Sequence, residues 1–411
     1  MPPILPAPDA AALLARSGTV LIAGCAAEPR AVLQAVAADP TLWRGVTVTG
    51  AFIPGVNETD FAGLVPGGRV ETIFTTDGLR LGGGPVAHLP LHYTAYWARL
   101  ARPGQIGAAV MTVPPPTRDG TVGMGLACDF LPAAIQAGAQ LVGVINPRMP
   151  DVANGPRLPL SRFAALVEED SPLRTLPGVA PDAVNLRIAE RIVGLLREGD
   201  TLQLGLGRFQ AAMLAVLGKG APGRLGYHAG MIAPGILTPG LFPRGITTGV
   251  ALGDPEFYEA VARTPTLRFR PVGETHSIAT LAALPGLVSV NSALEVDLSG
   301  QVNAEYLGGQ FSGQGGMVDF IRGARASAGG RAIIALPSTA RNGAQSRIVA
   351  RFDPRAPVSV ARSDVDLVVT EHGIADLREA DLAERARRLA AIADPVFRDT
   401  LLAAARTHSG A

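Results

Sequence analysis

The sequence predicts an open α/β fold made of two similar domains, and three observations carry that prediction. Short β-branched apolar runs alternate with Ala-rich helical stretches from end to end. Glycine or proline closes many of those runs before the next helical stretch begins. Several strand–turn–helix units recur about 180 residues further along the chain.

Taken in order, strands are expected over 19–23, 46–49, 108–113, 141–145, 202–206, 246–252, 288–292, 332–336 and 367–370. Each is a largely apolar run too short for a helix, and most are rich in Val, Ile or Thr. Helices are expected over 28–38, 130–139, 182–197, 210–217, 254–263 and 382–392, where Ala and Leu recur at helical spacing. Thr19-Val-Leu-Ile-Ala-Gly-Cys, leading into a helix, is mirrored by Thr201-Leu-Gln-Leu-Gly-Leu-Gly. Val110-Met-Thr-Val with Asp119-Gly-Thr-Val is mirrored by Val290-Asn-Ser-Ala with Ser299-Gly-Gln-Val. Stretches 141–147 and 333–337, each a strand followed by proline, make a third pair. Two domains follow, 1–175 and 176–411, joined near 172–182. The spacing is too irregular for the equal units of a TIM barrel.

Composition narrows the function classes. With 411 residues and 47% hydrophobic content the chain can bury a large core. Its 36 basic and 35 acidic residues nearly cancel, so there is no electrostatic footprint for nucleic acid or an anionic membrane. Lys219 is the one lysine, so any anion clamp must use arginine. Cys25 and Cys128 cannot build a disulfide framework or a zinc cluster. The N-terminus lacks the charged-then-apolar pattern of a signal peptide. The uncharged windows 225–243 and 275–294 are interrupted by proline, glycine or polar residues and would not make clean membrane spans. A soluble, cytoplasmic protein is expected.

Three local patterns could carry chemistry. Gly205-Leu-Gly207 between a strand and a helix resembles a phosphate turn, but Gln210 stands where a dinucleotide fingerprint needs its third glycine. The glycine-dense stretch 308–316 suits a loop whose backbone N–H groups approach a ligand, as in an oxyanion hole or nest. Its bland alternative is a flexible loop. The histidines are His88, His92, His228, His276, His372 and His408; no pair has a metal-site spacing supported by a third ligand, so no metal is expected. No Gly-x-Ser-x-Gly elbow is present.

Longer motifs carry a resemblance. From Val288 the chain reads Val-Ser-Val-Asn-Ser-Ala-Leu-Glu-Val-Asp-Leu-Ser-Gly-Gln-Val-Asn-Ala-Glu. Further on come Gly313-Gln-Gly-Gly-Met-Val-Asp-Phe-Ile-Arg-Gly-Ala, Leu336-Pro-Ser-Thr-Ala-Arg and Val369-Thr-Glu-His-Gly-Ile-Ala-Asp-Leu-Arg. This resembles the acetyl-CoA hydrolase/CoA-transferase family, which includes 4-hydroxybutyrate and succinyl-CoA:acetate CoA-transferases. Ala26-Ala-Glu-Pro-Arg, Val113-Pro-Pro-Pro and Asn146-Pro-Arg-Met-Pro extend it more loosely through the N-terminal half. The resemblance implies two related open α/β domains of the class I CoA-transferase kind, with the acyl-CoA site carried by the second. It also implies a glutamate that attacks the thioester while glycine amides hold the oxyanion.

The sequence departs from that pattern at the glutamate. The family motif is approximately Gly-Ile-His-Thr-Glu-Met-x-x-Asp-Gly, whereas this chain has Gly226-Tyr-His-Ala-Gly-Met-Ile-Ala-Pro-Gly. Gly230 therefore stands at the expected nucleophile and Pro234 at the aspartate. Phe209-Gln-Ala-Ala replaces an Ile-Pro-Asp-Ala turn, and His276-Ser-Ile replaces an Asn-rich stretch. The glycine loop (Gly313, Gly315, Gly316) and the Pro337–Arg341 stretch, read as a CoA-contact region through Ser338 and Arg341, remain. Gly205 and Gly207 join them as candidate ligand-binding residues. His228 is retained, with a structural or an acid–base role open. Glu274, two residues from His276, would face the same side on an extended segment, so the pair could share the emptied pocket.

The resulting expectation is an acyl-CoA-processing enzyme. It would cleave a thioester, or a C–C bond of a β-keto acyl-CoA, by hydrolysis and without a glutamyl-CoA intermediate; Glu274, His276 or His228 would deprotonate water. A CoA-transferase using Glu274 as its carboxylate, and a non-catalytic CoA-thioester binding protein, are the two alternatives. Acyl-CoA and a carboxylic acid are the expected small-molecule partners, and a homodimer is the expected assembly.

Overall fold

The computed structural model describes residues 1–408, with side chains to Arg406, so the side chain of His408 lies outside the described residues. The chain forms two compact units. One comprises residues 1–178, 230–237 and 246–275; the other comprises 179–229, 238–245 and the chain from His276 onward.

The first unit is built on seven strands: β1 (Thr19–Ile22), β2 (Thr47–Gly50), β3 (Arg69–Thr72), β4 (Val86–His88), β5 (Ala108–Val113), β6 (Gln140–Ile145) and β7 (Phe163–Glu168). They lie side by side in the order β4-β3-β2-β1-β5-β6-β7, all parallel. A parallel sheet is covered on both faces, which is why β5 is buried along its whole length and reads as an unbroken apolar run. The chain steps outward from β1 to β4, then resumes on the other side at β5. The crevice at the carboxyl ends of β1 and β5 is therefore the topological switch point of this sheet. Strand β3 was not legible as a strand because Glu71 interrupts it; that buried carboxylate is held by Arg99 at 2.5 Å. Trp43, Phe52, Phe61, Val20, Val48 and Val110 belong to the core of one face.

The second unit contains β8 (Thr201–Leu204), β9 (Gly226–His228), β10 (Leu287–Ser292), β11 (Arg331–Ala335), β12 (Leu367–Thr370) and β13 (Gly373–Asp376). Their order is β9-β8-β10-β11-β12-β13, parallel except for the antiparallel last strand. The sequence β9-β8-β10-β11-β12 has the same connectivity as β2-β1-β5-β6-β7. The mirrored turns agree too: Gly120 N–H donates to Thr117 O (3.0 Å) and Gly300 N–H to Asp297 O (2.9 Å), each glycine with a left-handed φ. These correspondences make physical the internal repeat seen in the sequence.

One expected element is broken. The stretch 246–252 forms two short strands, Ile246–Thr248 and Val250–Ala251, interrupted at Gly249. Gly249 and Val250 both donate to Gly230 O, at 3.0 and 3.1 Å, which turns the chain out of its first pairing and into a second. Among the described residues, no helix is long and apolar enough to cross a membrane.

Candidate active site

In the first unit, Gly230 sits at the edge of a three-segment ribbon. Met231–Ile232 pairs in parallel with Val250–Ala251, and on the other side Ala127 pairs antiparallel with Val250. Cys128 N–H donates to Gly249 O at 2.9 Å, so Asp129 follows directly from the residue facing Gly249. Left-handed backbone in the Gly226–Gly235 stretch falls on Gly235 (φ 91), not on Gly230. Glu274 belongs to this unit as well, in the short helix Val272–Thr275.

That helix corrects the expectation for Glu274 and His276. The backbone there is helical, so residues two apart do not share a face. Glu274 is about half exposed and pairs with Arg270 at 3.2 Å, whereas His276 is fully buried. Pro271 O accepts the N–H groups of both Glu274 and Thr275, which winds the turn.

The other sequence-selected residues belong to the second unit. His228 ends β9, and both it and His276 lie against Phe320, with ring centroids 6.4 and 4.5 Å from the phenyl ring. Phe320 is on the helix Met317–Ala326, one residue beyond buried Asp319. Burial pushes the His276 imidazolium down to about 3; Asp319 opposes that shift and His228 adds to it. His276 is thus a neutral imidazole at physiological pH, suited to hydrogen bonding and poor as a base.

This buried neutral state predicts a pH dependence. The unfolded histidine titrates near 6.5 and the folded one near about 3, so the unfolded chain gains the proton first as pH falls. Stability from this group is complete above pH 6.5 and is lost below it, by at most about 1.4 kcal/mol per pH unit. Asp129, raised from 3.8 to about 6, contributes the opposite slope between those values. The comparison that isolates His276 is therefore wild type against His276→Gln. Chemical denaturation at about pH 7 and about pH 5 should show the difference moving in favour of the variant at the lower pH. A pH-independent difference would mean that His276 takes up its proton without loss of the fold.

The helix carrying Phe320 opens from the glycine loop. Gly313 (φ 107) and Gly315 (φ 60) are left-handed, and Gly316 (φ −89, ψ 9) caps the helix. A left-handed residue followed by a right-handed one turns successive N–H groups toward one concavity, and the helix N-terminus adds its own unpaired amides. The loop follows a two-strand hairpin, Tyr306–Leu307 with Gln310–Phe311, and Ser312 N–H donates to Glu305 O at 2.8 Å to anchor it. Gly207 (φ 107) caps the helix Arg208–Leu217, and both Gly205 and Gly207 are exposed.

Ser338 and Arg341 occupy different environments. Ser338 is fully buried, and its N–H and Oγ–H both donate to the Glu371 carboxylate at 2.8 Å. Its carbonyl accepts from Arg347 N–H at 2.9 Å, closing the hairpin Thr339–Ala340 with Gln345–Ser346. Arg341 (φ 50) and Asn342 (φ 55) form the exposed tip, and Gly343 N–H donates back to Ala340 O at 3.1 Å as in a type I′ turn. Arg347 lies below, its guanidinium pKa lowered by burial despite the neighbouring Glu295 and Glu371. Its Nε is buried without a hydrogen-bond partner. Glu371 and Arg347 were not singled out from the sequence, although Glu371 lies within the Val369–Arg378 motif and could have been. Among the described residues no group of three or more His, Cys, Asp or Glu side chains is arranged to hold a metal ion.

Comparison with known proteins agrees with this architecture. The acetyl-CoA hydrolase/transferase C-terminal domain matches residues 253–405. A 4-hydroxybutyrate coenzyme A transferase of Clostridium kluyveri is 35% identical over 309 residues, 72% of this chain and 72% of that protein. A succinyl-CoA:cyclohexane-1-carboxylate CoA transferase of Geobacter metallireducens is 34% identical over 316 residues, 73% of this chain and 71% of the other. Among solved structures, RipA from Yersinia pestis has a TM-score of 0.89 at 30% identity, covering 99% of this chain and 98% of its own. A 4-hydroxybutyrate CoA-transferase from Porphyromonas gingivalis has a TM-score of 0.82 at 29% identity, with coverage of 99% and 98%.

Proposed function

Because the chain belongs to the acetyl-CoA hydrolase/CoA-transferase family, we propose that it cleaves a CoA thioester, or a C–C bond of a β-keto acyl-CoA, by hydrolysis. The observation that carries this reading is Gly230, which has no side chain to form a glutamyl thioester where the family motif has glutamate. The exposed Glu274–Arg270 pair supports it further, since a solvent-facing, paired carboxylate makes a weak substitute nucleophile. Amides of Gly313, Gly315 and Gly316 would stabilise the oxyanion as water adds to the carbonyl. The C–O bond forms, the C–S bond (or, in a β-keto acyl-CoA, the bond between the α- and β-carbons) breaks, and the water proton reaches the leaving sulfur or carbon through a protein base. Neutral His276, with His228 on the same phenyl ring, would position groups by hydrogen bonding rather than take that proton. Arg341, held outward on its turn, would meet a CoA phosphate. Ser338 would act indirectly, because its hydroxyl is committed to Glu371.

The test uses the intact chain with acetyl-, butyryl-, succinyl- and acetoacetyl-CoA. Free thiol is followed with a chromogenic disulfide, and protein-bound CoA by intact mass. Hydrolysis predicts thiol release, or acid formation from the β-keto substrate, with no adduct and no stimulation by added acetate. An adduct together with acetate dependence would identify a transferase. Tight binding with no product would identify a binding protein.

A further inference from the structure

We propose that Glu371 is a positioning residue for CoA: it holds the hairpin that carries Arg341 so that the Arg341 guanidinium meets a phosphate. The proposal rests on the contact between Arg341 and CoA in the reading above, and not on the hydrolytic step. Every residue in it belongs to the second unit. The hairpin does not set its own position. It pairs only Thr339 with Ser346 and Ala340 with Gln345, and so small a two-stranded hairpin is marginal alone. Its turn is held against preference, since Arg341 and Asn342 are both left-handed and of the two only asparagine adopts that conformation readily. Among the described residues the exposed Arg341 guanidinium has no hydrogen-bond or ion-pair partner, so the turn presents an unneutralised cation. At most about 10 Å of extended chain separates that tip from Ser338. Whatever fixes Ser338 therefore aims Arg341.

Glu371 does that fixing from an anchored place. It lies in the turn between β12 and β13, which is bounded by the pairing of Thr370 with Gly373. Thr370 Oγ1 accepts His372 N–H at 3.1 Å and donates to Ile392 O at 2.6 Å. Arg191, on the helix Ala183–Val193, donates to Glu371 O at 3.0 Å. From this turn the carboxylate accepts Ser338 N–H on Oε2 and the Ser338 hydroxyl on Oε1, and both residues are buried. Two charge-assisted bonds to two different oxygens leave Ser338 one orientation. Arg347 completes the base of the hairpin. Its backbone N–H donates to Ser338 O, its guanidinium donates to Ala293 O at 3.2 Å, and its charge faces Glu371. The sheet end, Glu371, Ser338 and the turn at Arg341 thus form one relay in which each link is a named hydrogen bond or a short stretch of chain.

Isothermal titration of the full chain with CoA tests this. Glu371→Ala should raise the dissociation constant about tenfold, whereas Glu371→Gln, which keeps an acceptor for Ser338 N–H, should stay within about threefold of wild type. Arg341→Ala should also weaken binding about tenfold, and adding Glu371→Ala to it should cost less than about twofold more, because both act through one contact. A purely structural role for Glu371 would instead give additive losses. Should Glu371→Ala fail to fold, Ser338→Ala, which removes only the hydroxyl, decides in its place through about a threefold loss that Arg341→Ala absorbs. Wild-type affinity in the deciding variant, or losses that add to that of Arg341→Ala, overturn the inference alone. CoA held as tightly by Arg341→Ala as by wild type overturns the phosphate contact and the inference with it. Hydrolysis is read separately, from thiol release, because the titration needs no turnover.

Discussion

Replacing Gly316 by Val should lower acyl-CoA turnover about a thousandfold while leaving the fold in place. The backbone at Gly316 has φ −89 and ψ 9, a conformation open to residues with side chains, so the substitution carries no left-handed strain. Gly316 makes no side-chain cap, and its carbonyl still accepts the N–H of Phe320 at 3.2 Å whatever the side chain. The stability cost is therefore that of a poor N-cap residue, about 1 kcal/mol. Function is affected differently. A branched side chain at this position stands beside the amides that the left-handed Gly313 and Gly315 turn toward one concavity. Steady-state kinetics together with thermal melts by circular dichroism separate the two effects. Wild-type turnover in Gly316→Val would remove the loop from the mechanism, and a large fall in melting temperature would reassign the residue to folding.

The largest stability effect is expected at Asp200. This carboxylate, at the start of β8, is buried with Arg331, at the start of β11, and the two form an ion pair. Asp200 also accepts Arg197 N–H at 2.7 Å, and Arg331 donates to Leu195 O at 2.8 Å. Asp200→Ala leaves a guanidinium in the interior without its counter-charge and should destabilise the chain by about 3–5 kcal/mol. Replacing both partners by apolar residues should recover much of that loss, since the desolvation of two charges is then avoided. Urea denaturation of the single and double variants is the measurement. A double variant as unstable as the single one would show that Leu195 and Arg197, rather than the ion pair, dominate the site.

The second-unit helix Met317–Ala326 illustrates what was illegible and why. Its apolar residues are interleaved with Asp319, Arg322 and Arg325, and Gly323 lies in its interior. That glycine weakens a local reading, yet the fold requires it: a Cβ there would come within 2.4 Å of Leu281 on the helix Ile278–Ala282. Close packing outweighs helix propensity at that position. The same reversal occurs in β3, where a buried carboxylate is tolerated because Arg99 reaches it. Local pattern cannot register a partner that is distant in the chain.

The sequence by itself determined the open α/β class, the duplication and the family. These rest on apolar periodicity, on turn glycines and on long motifs, all of which are local properties of the chain. It also raised the expectation that Gly230 stands at the family's nucleophile position, read from the motif alone. The tertiary structure decided which retained groups are available for chemistry. A helical turn places Glu274 in solvent beside Arg270, burial holds His276 neutral against Phe320, and Glu371 takes both donors of Ser338. Burial and non-local pairing set protonation state and reach, and both are properties of the packed chain rather than of any short stretch of it.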